Sequence, residues 1–415
     1  MTRIWLVAPL VLSACVCSKP ADVVDAGACV CPAPVAEVTS LPDTVKPSAR
    51  QEPTTGSPHV HPLAVCPSDG KLPLDVAQEA YDKGEYEKAL SCAAQASALT
   101  PGDVVAHTER ANALAQLKRL DEATLAYARA LAIDPDSLDA LAGAAHFYIV
   151  VQPSSREMDE LGSNYAERGF DLARQQHDDE FSLHFARLSA MGFNDIGQPE
   201  DALDRADWVL AREKSDPEAL YERALALFEL SRFKEARGVF TKLLNDKERS
   251  AWAHHHLGLI LEREGKQAEA DQHFERAQEL DPDAFPAPVL ISAEAFQKQM
   301  KDTIAALPDD MRKDLKGIRV AMEDLPRDED LSGDPPLSPT ILGLFRGTPL
   351  DEECVPEADA KPGEPCRSIA LYRKNLARAV TTREELNEQI RVTLLHEIGH
   401  LRGEDDSELA ARGLE

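Results

Sequence analysis

The chain has 415 residues of globular composition, 43% hydrophobic and 28% charged, and is long enough for two or three domains because single cores stop growing at roughly 250–300 residues. Its 73 acidic and 45 basic residues give a formal net charge of -28, which repels phosphate backbones and anionic lipid headgroups and excludes nucleic acid as a natural partner. The eight cysteines, Cys15, Cys17, Cys29, Cys31, Cys66, Cys92, Cys354 and Cys366, take their meaning from the compartment the chain occupies.

Residues 1–14 read as an export signal. A single basic residue, Arg3, precedes an apolar run from Ile4 to Leu12, too short to span a bilayer. The run ends in Leu12-Ser13-Ala14-Cys15, which resembles the bacterial lipobox and implies lipidation of Cys15 as the first residue of the mature protein; an ordinary secretory signal cut nearby is the alternative. Acyl chains stabilise membrane attachment by about 0.8 kcal/mol per buried methylene, and Val16 lacks the aspartate that resembles an inner-membrane retention signal. The expected location is therefore the bacterial cell envelope, lipid-anchored at the outer membrane. Residues 15–70 are rich in Pro, Ala, Val, Ser and Thr without helical or strand periodicity, and are expected to be a tether. The motifs Cys15-Val16-Cys17 and Cys29-Val30-Cys31 are expected to be lipidated or disulfide-bonded in an exported tail, not to hold metal.

Residues 71–284 carry an internal repeat. Pro101 and Pro135 lie 34 residues apart, with Pro217 and Pro282 beyond. Around them small residues open one helix, a short turn follows, and an Ala-rich second helix ends near proline. Ala80-Tyr81, Gly84, Tyr86, Ala89 and Ala96 form one copy; Leu120-Asp121-Glu122-Ala123, Tyr127, Ala130 and Ile133-Asp134-Pro135 end another; Leu257-Gly258, Gly265, Phe274, Ala277 and Leu280-Asp281-Pro282 end the last. Alanine and glycine at a helix crossing let backbones approach while aromatics fill the space between repeats. The pattern resembles the tetratricopeptide repeat family, which implies a helical solenoid that binds a protein partner or peptide in a groove, or one that only spaces its neighbours. The 82 residues from Pro135 to Pro217 exceed two regular repeats, and Ala140 to Gln198 is expected to be one lengthened or irregular repeat. His254-His255-His256 are expected to pack between helices, because neighbouring helical residues diverge by about 100° and cannot converge on one ion.

Residues 285–415 have a different texture. A helix is expected over Ala293–Leu307 and strands over Ile318–Asp324, Ile341–Phe345 and Ser368–Tyr372. A final helix starts with Thr382 as N-cap and Glu385 three residues on, and carries Leu386, Ile390, Leu394 and Ile398 as a buried face.

On another face of that helix His396 and His400 stand four residues apart, one above the other, as two imidazoles must to share a tetrahedral ion. In such an HExxH motif the metal acidifies water and the glutamate, here Glu397, accepts a proton. Gly403 can leave the helix in a left-handed conformation and return Glu404, Asp405 and Asp406 toward the histidines. With fifteen residues after His400, the third ligand is expected within that acidic triplet.

The segment HEIGHLRGEDDSEL, with GLFRGTPL and SIALYRKNLAR upstream, resembles the minimal zincin family of bacterial zinc metallopeptidases. Its HExxHxxGxxD pattern implies Zn2+ held by His396, His400 and Asp406, with Asp405 as second choice, and Glu397 as the catalytic group. Cys354 and Cys366 lie in a longer segment between the last two strands and are expected to form a disulfide in an exported protein. Arg346, Tyr372 and Arg373 are candidates for stabilising an oxyanion, by proximity to the strands alone. The expected fold is mainly α, a tetratricopeptide solenoid followed by a small α+β zincin-like domain. The expected function is membrane-anchored, zinc-dependent hydrolysis of peptide bonds in a substrate protein or peptide; the alternative is a non-catalytic repeat scaffold with a metal-binding C-terminal domain.

Overall fold

The computed structural model describes residues 65–67, 70–333, 336–354 and 365–414. Cys15, the cysteine motifs up to Cys31, the signal region and nearly all of the expected tether lie outside the described residues. Among the described residues no helix is long and apolar enough to cross a membrane.

The repeats form six helix pairs: α1 (Pro73–Asp82) with α2 (Tyr86–Leu99), α3 (Val104–Gln116) with α4 (Leu120–Ile133), α5 (Leu138–His146) with α6 (Arg156–Gln175), α7 (Asp179–Asp195) with α8 (Pro199–Leu210), α9 (Pro217–Glu229) with α10 (Phe233–Phe240), and α11 (Ser250–Arg263) with α12 (Gln267–Leu280). Side-chain oxygens of Asp103, Ser137, Ser155, Asp178 and Asp216 accept from the exposed N–H groups that open α3, α5, α6, α7 and α9, which satisfies donors the helix itself leaves unpaired. Alanines such as Ala77, Ala111, Ala123, Ala130, Ala224 and Ala236 are fully buried at the helix crossings.

The period is visible in the backbone. Gly84 and Lys118, then Gly197, Ser231 and Gly265, are left-handed turn residues at 34-residue intervals. Lys118 to Gly197 spans 79 residues where two regular repeats would take 68. The lengthened unit is the α5–α6 pair, and Ala140–Gln198 also takes in α7, the first helix of the next pair. The surplus lies in a π-helical turn, Phe147–Val151, that ends α5, in a four-residue connection, and in the 20-residue α6.

Two further features concern histidine and cysteine. His256 stacks on Phe240 (ring centroids 4.8 Å), His255 on Phe285 (4.7 Å), and His254 Nδ1 meets His273 Nδ1 at 2.9 Å, so the three rings diverge into separate packing contacts. Cys66, in the stretch expected to be tether, is buried and disulfide-bonded to Cys92 of α2.

The C-terminal region begins with α13 (Ala293–Ala306) and α14 (Asp309–Asp314) and continues through β1 (Arg319–Glu323), α15 (Asp328–Leu331), β2 (Gly343–Arg346), β3 (Ser368–Tyr372), α16 (Arg373–Arg378), α17 (Arg383–Arg402) and α18 (Asp406–Ala411). The sheet order is β1-β3-β2, with β1 parallel and β2 antiparallel to β3. Ile341 belongs to a turn closed by its N–H onto Ser338 C=O (3.2 Å), so β2 starts two residues later than the hydrophobic run suggests. Val320, Met322, Phe345, Ile369 and Leu371 form the sheet's inner face against Leu386, Ile390, Leu394 and Ile398 of α17, with Phe296 and Met300 of α13 completing the core.

The last repeat docks on this domain. Glu262 of α11, its side chain only 3% exposed, pairs with Arg378 and, at 3.1 Å, with Lys374 of α16. Arg263 reaches Asp328 of α15 at 2.6 Å, and the Arg378 guanidinium lies 4.8 Å over the Phe274 ring of α12.

Candidate metal centre

α17 begins with the reciprocal capping box of Thr382 and Glu385 and ends at Gly403, whose φ of +90° reverses the chain. Only a residue without Cβ adopts this at little cost. The turn brings Glu404 C=O to His400 Nδ1 (3.0 Å) and starts α18. Asp405 caps that helix, accepting from Glu408 N–H (2.9 Å) and Ser407 Oγ (2.5 Å), while Glu404 pairs with Arg412. Of the acidic triplet it is Asp406 that joins the histidines. Its Oδ1 lies 3.3 Å from His396 Nε2 and 3.2 Å from His400 Nε2, and the two Nε2 atoms are 3.0 Å apart.

The proton inventory tests whether a metal fits. His396 Nδ1 faces Leu414 C=O at 2.6 Å and His400 Nδ1 faces Glu404 C=O at 3.0 Å. A carbonyl only accepts, so each neutral ring must carry its proton on Nδ1, and both Nε2 atoms present lone pairs. Two lone pairs and a carboxylate oxygen then converge with no proton among them, an arrangement that calls for a cation. Zinc bonds of about 2.0–2.1 Å in tetrahedral geometry place ligand atoms about 3.3–3.4 Å apart, close to the observed triangle. His396, His400 and Asp406 are the one group of three such ligands among the described residues.

Without a cation the same triangle draws a proton in, because a ring protonated on both nitrogens donates from Nε2 to Asp406. Hydrogen bonds from His396 and then His400 hold the Asp406 carboxyl well below the usual range. Burial works against charge on both rings, but the Asp406 carboxylate outweighs it and raises the pKa of each. Glu397 is buried, 5% exposed, and burial pushes its carboxyl up against the opposing pull of His396 and His400.

Strand β2 passes over Glu397 without room to spare. A Cβ on Gly343 would lie 2.8 Å from Glu397 Oε1 and 2.6 Å from Thr393 Cγ2, so any larger residue here must push those side chains aside. Tyr372 N–H donates to Leu342 C=O, and alternation along an antiparallel ladder then turns the backbone groups of Gly343 and Phe345 away from β3, toward the open edge. The Phe345 N–H donates to the Glu397 carboxylate.

Residues 315–414 match the family model of zincin-like metallopeptidases, and residues 74–137, 193–254 and 251–284 match tetratricopeptide repeat models. The chain carries a zincin-like metallopeptidase domain preceded by tetratricopeptide repeats. No curated protein matches the chain. Solved structures similar to it include PilF of Pseudomonas aeruginosa, at 15% identity over 55% of this chain and 96% of that one, TM-score 0.43. PilW, described as a widely conserved type IV pilus biogenesis factor, is 20% identical over 51% and 93%, TM-score 0.44. YrrB, described as a TPR protein with an unusual peptide-binding site, is 19% identical over 47% and 95%, TM-score 0.38. Each is a likeness and nothing more.

Within the metallopeptidase domain the three oxyanion candidates point elsewhere. Side chains alternate across a strand, so Arg346 and Tyr372 occupy the sheet face opposite Gly343 and Glu397. There Arg346 grips Asp330 (2.6 Å) and Glu323 (3.1 Å) and donates to the Tyr372 hydroxyl (3.3 Å), while Arg373 pairs with Asp324 and the Ile291 carbonyl. Cys354 and Cys366 are disulfide-bonded. The loop after β2 is tied to the metal helix by Leu350 N–H on Leu401 C=O (2.8 Å), and Arg367 holds the carbonyls of Thr348, Pro349 and Glu352. Sequence reasoning missed Gly343 and Leu414. The glycine inside a strand pattern was the available clue to close approach; the Leu414 carbonyl has none.

Proposed function

We propose that the chain is a zinc-dependent peptidase, anchored by lipid on Cys15 to the outer membrane of a bacterial envelope, whose repeats hold a protein partner or substrate. The observation that carries the reading is the triangle of His396, His400 and Asp406 beside buried Glu397 under an edge strand. Zinc bound there supplies Lewis-acid chemistry, polarising a carbonyl and acidifying water. Glu397 then takes the proton from the attacking water at its carboxylate and passes it to the leaving amine, a task suited to a carboxyl whose pKa burial has raised. An extended peptide pairs with the open edge of β2 through the outward backbone groups of Gly343 and the Phe345 carbonyl.

Two disulfides among the described residues, Cys66–Cys92 and Cys354–Cys366, support an oxidising compartment, and the Leu12-Ser13-Ala14-Cys15 lipobox supports the anchor. Metal analysis of the purified chain, paired with digestion of a peptide library by the wild type and Glu397→Gln, tests the reading. It requires stoichiometric zinc and cleavage lost in the variant. Absence of zinc, or equal cleavage by both, would overturn it in favour of a repeat scaffold.

A further inference from the structure

The two ligand histidines are oriented by different means. His400 donates from Nδ1 to Glu404 C=O, four residues on in the turn that ends its own helix. His396 donates to Leu414 C=O, eighteen residues on, beyond α18. The segment between is built to hold that carbonyl in place. Asp405 caps α18 at one end, Arg412 closes it at the other and pairs back to Glu404, and Leu409 packs fully buried against Gly399 of α17. Leu414 N–H returns to Leu409 C=O (3.1 Å), and the Leu414 side chain is buried.

We infer that Leu414, through its backbone carbonyl, is a positioning residue of the metal centre, fixing His396 as the Nδ1–H tautomer with Nε2 directed at His400 and Asp406. The inference rests on the reading that this triangle binds zinc. The consequence is a short clasp that closes the site from both ends: the first residue of α18 supplies the carboxylate, and the carbonyl just past its last turn orients the opposite ligand. Without Leu414 the ring is free to flip or to move its proton to Nε2, which blocks the lone pair that a cation needs.

The test compares zinc affinity, by competition with a chromogenic chelator, for the full chain, a chain ending at Arg412, and Leu414→Ala. Loss of an outer partner to a ligand histidine weakens metal binding by about 10- to 100-fold. That loss is expected for the chain ending at Arg412, whereas Leu414→Ala, which keeps the carbonyl, is expected to stay within about threefold of wild type. The nitrogen-15 spectrum of metal-free His396, recorded at alkaline pH where the ring is neutral, provides a readout that packing alone does not move: the Nδ1–H tautomer in the full chain and in Leu414→Ala, and a mixture in the shortened chain. Unchanged affinity in the chain ending at Arg412, or equal loss in Leu414→Ala, overturns the proposal. Failure of the full chain itself to bind zinc would instead overturn the reading on which it rests.

Discussion

The Glu262 carboxylate, buried in the last repeat, is held by the Arg378 guanidinium of the metallopeptidase domain, with Lys374 Nζ 3.1 Å from its other oxygen. Removing one partner of a buried pair leaves the other charge desolvated and poorly compensated. Arg378→Met keeps much of the stem over Phe274 but loses the charge, and is expected to cost about 2–3 kcal/mol. Urea unfolding followed by fluorescence checks this; a change within about 0.5 kcal/mol would show the contact to be incidental.

A second contact across the same boundary titrates. Glu229, the last residue of α9, hydrogen-bonds Ser338, yet burial pushes its carboxyl from the ordinary 4.5 up to about 7, and a negative charge at a helix C-terminus is itself unfavourable. Because the folded-state value is the higher one, the folded chain binds the proton more tightly than the unfolded chain. That contribution is fully present below pH 4.5 and is lost as pH rises through about 7. Glu229→Gln is therefore expected to be more stable than wild type at pH 8, with the advantage shrinking at pH 5. Urea midpoints of both proteins at the two pH values check it, and a constant difference would contradict it.

Metal removal should be read as a stability change. Zinc in free excess at 100 times its Kd stabilises by about 2.7 kcal/mol, worth roughly 10–20 °C in a domain near 100 residues. Chelation is expected to lower the melting temperature of the wild type by that amount and to leave His400→Ala unmoved. Equal responses would place the bound metal elsewhere.

Gly343→Ala isolates the contact between β2 and Glu397. The added methyl would collide with Glu397 Oε1 and Thr393 Cγ2, displacing the carboxylate while leaving the ligand triangle alone. Peptidase activity is expected to fall about 10²-fold, the order of loss that small misplacement produces, with zinc content unchanged. Loss of both together would mean that the substitution disrupts the domain.

Much of this was legible in residues close together in the chain. Thr382 and Glu385 announce the start of α17, the four-residue spacing of Leu386 to Ile398 its buried face, and Gly403 its end, because caps and periodicity are local properties. The mainly α architecture with a small α+β domain was readable for the same reason. What was not legible depends on long-range placement. Arg346 and Arg373 look alike beside predicted strands, and only their strand registers and partners separate them from the metal centre. Glu262 and Arg378 look like ordinary solvated charges, since their 116-residue separation leaves no pattern to read. Asp405 and Asp406 differ only in which one the turn spends on capping.

The Cys66–Cys92 bond has a mechanical consequence. It closes a covalent loop around residues 67–91, so tension drawn through the segment ahead of Cys66 is delivered straight to the middle of α2. The first helix, α1, sits inside that loop and carries none of the load. A chain pulled from its N-terminal side would thus be gripped at its second helix, and fraying of the first would not be the way it comes apart.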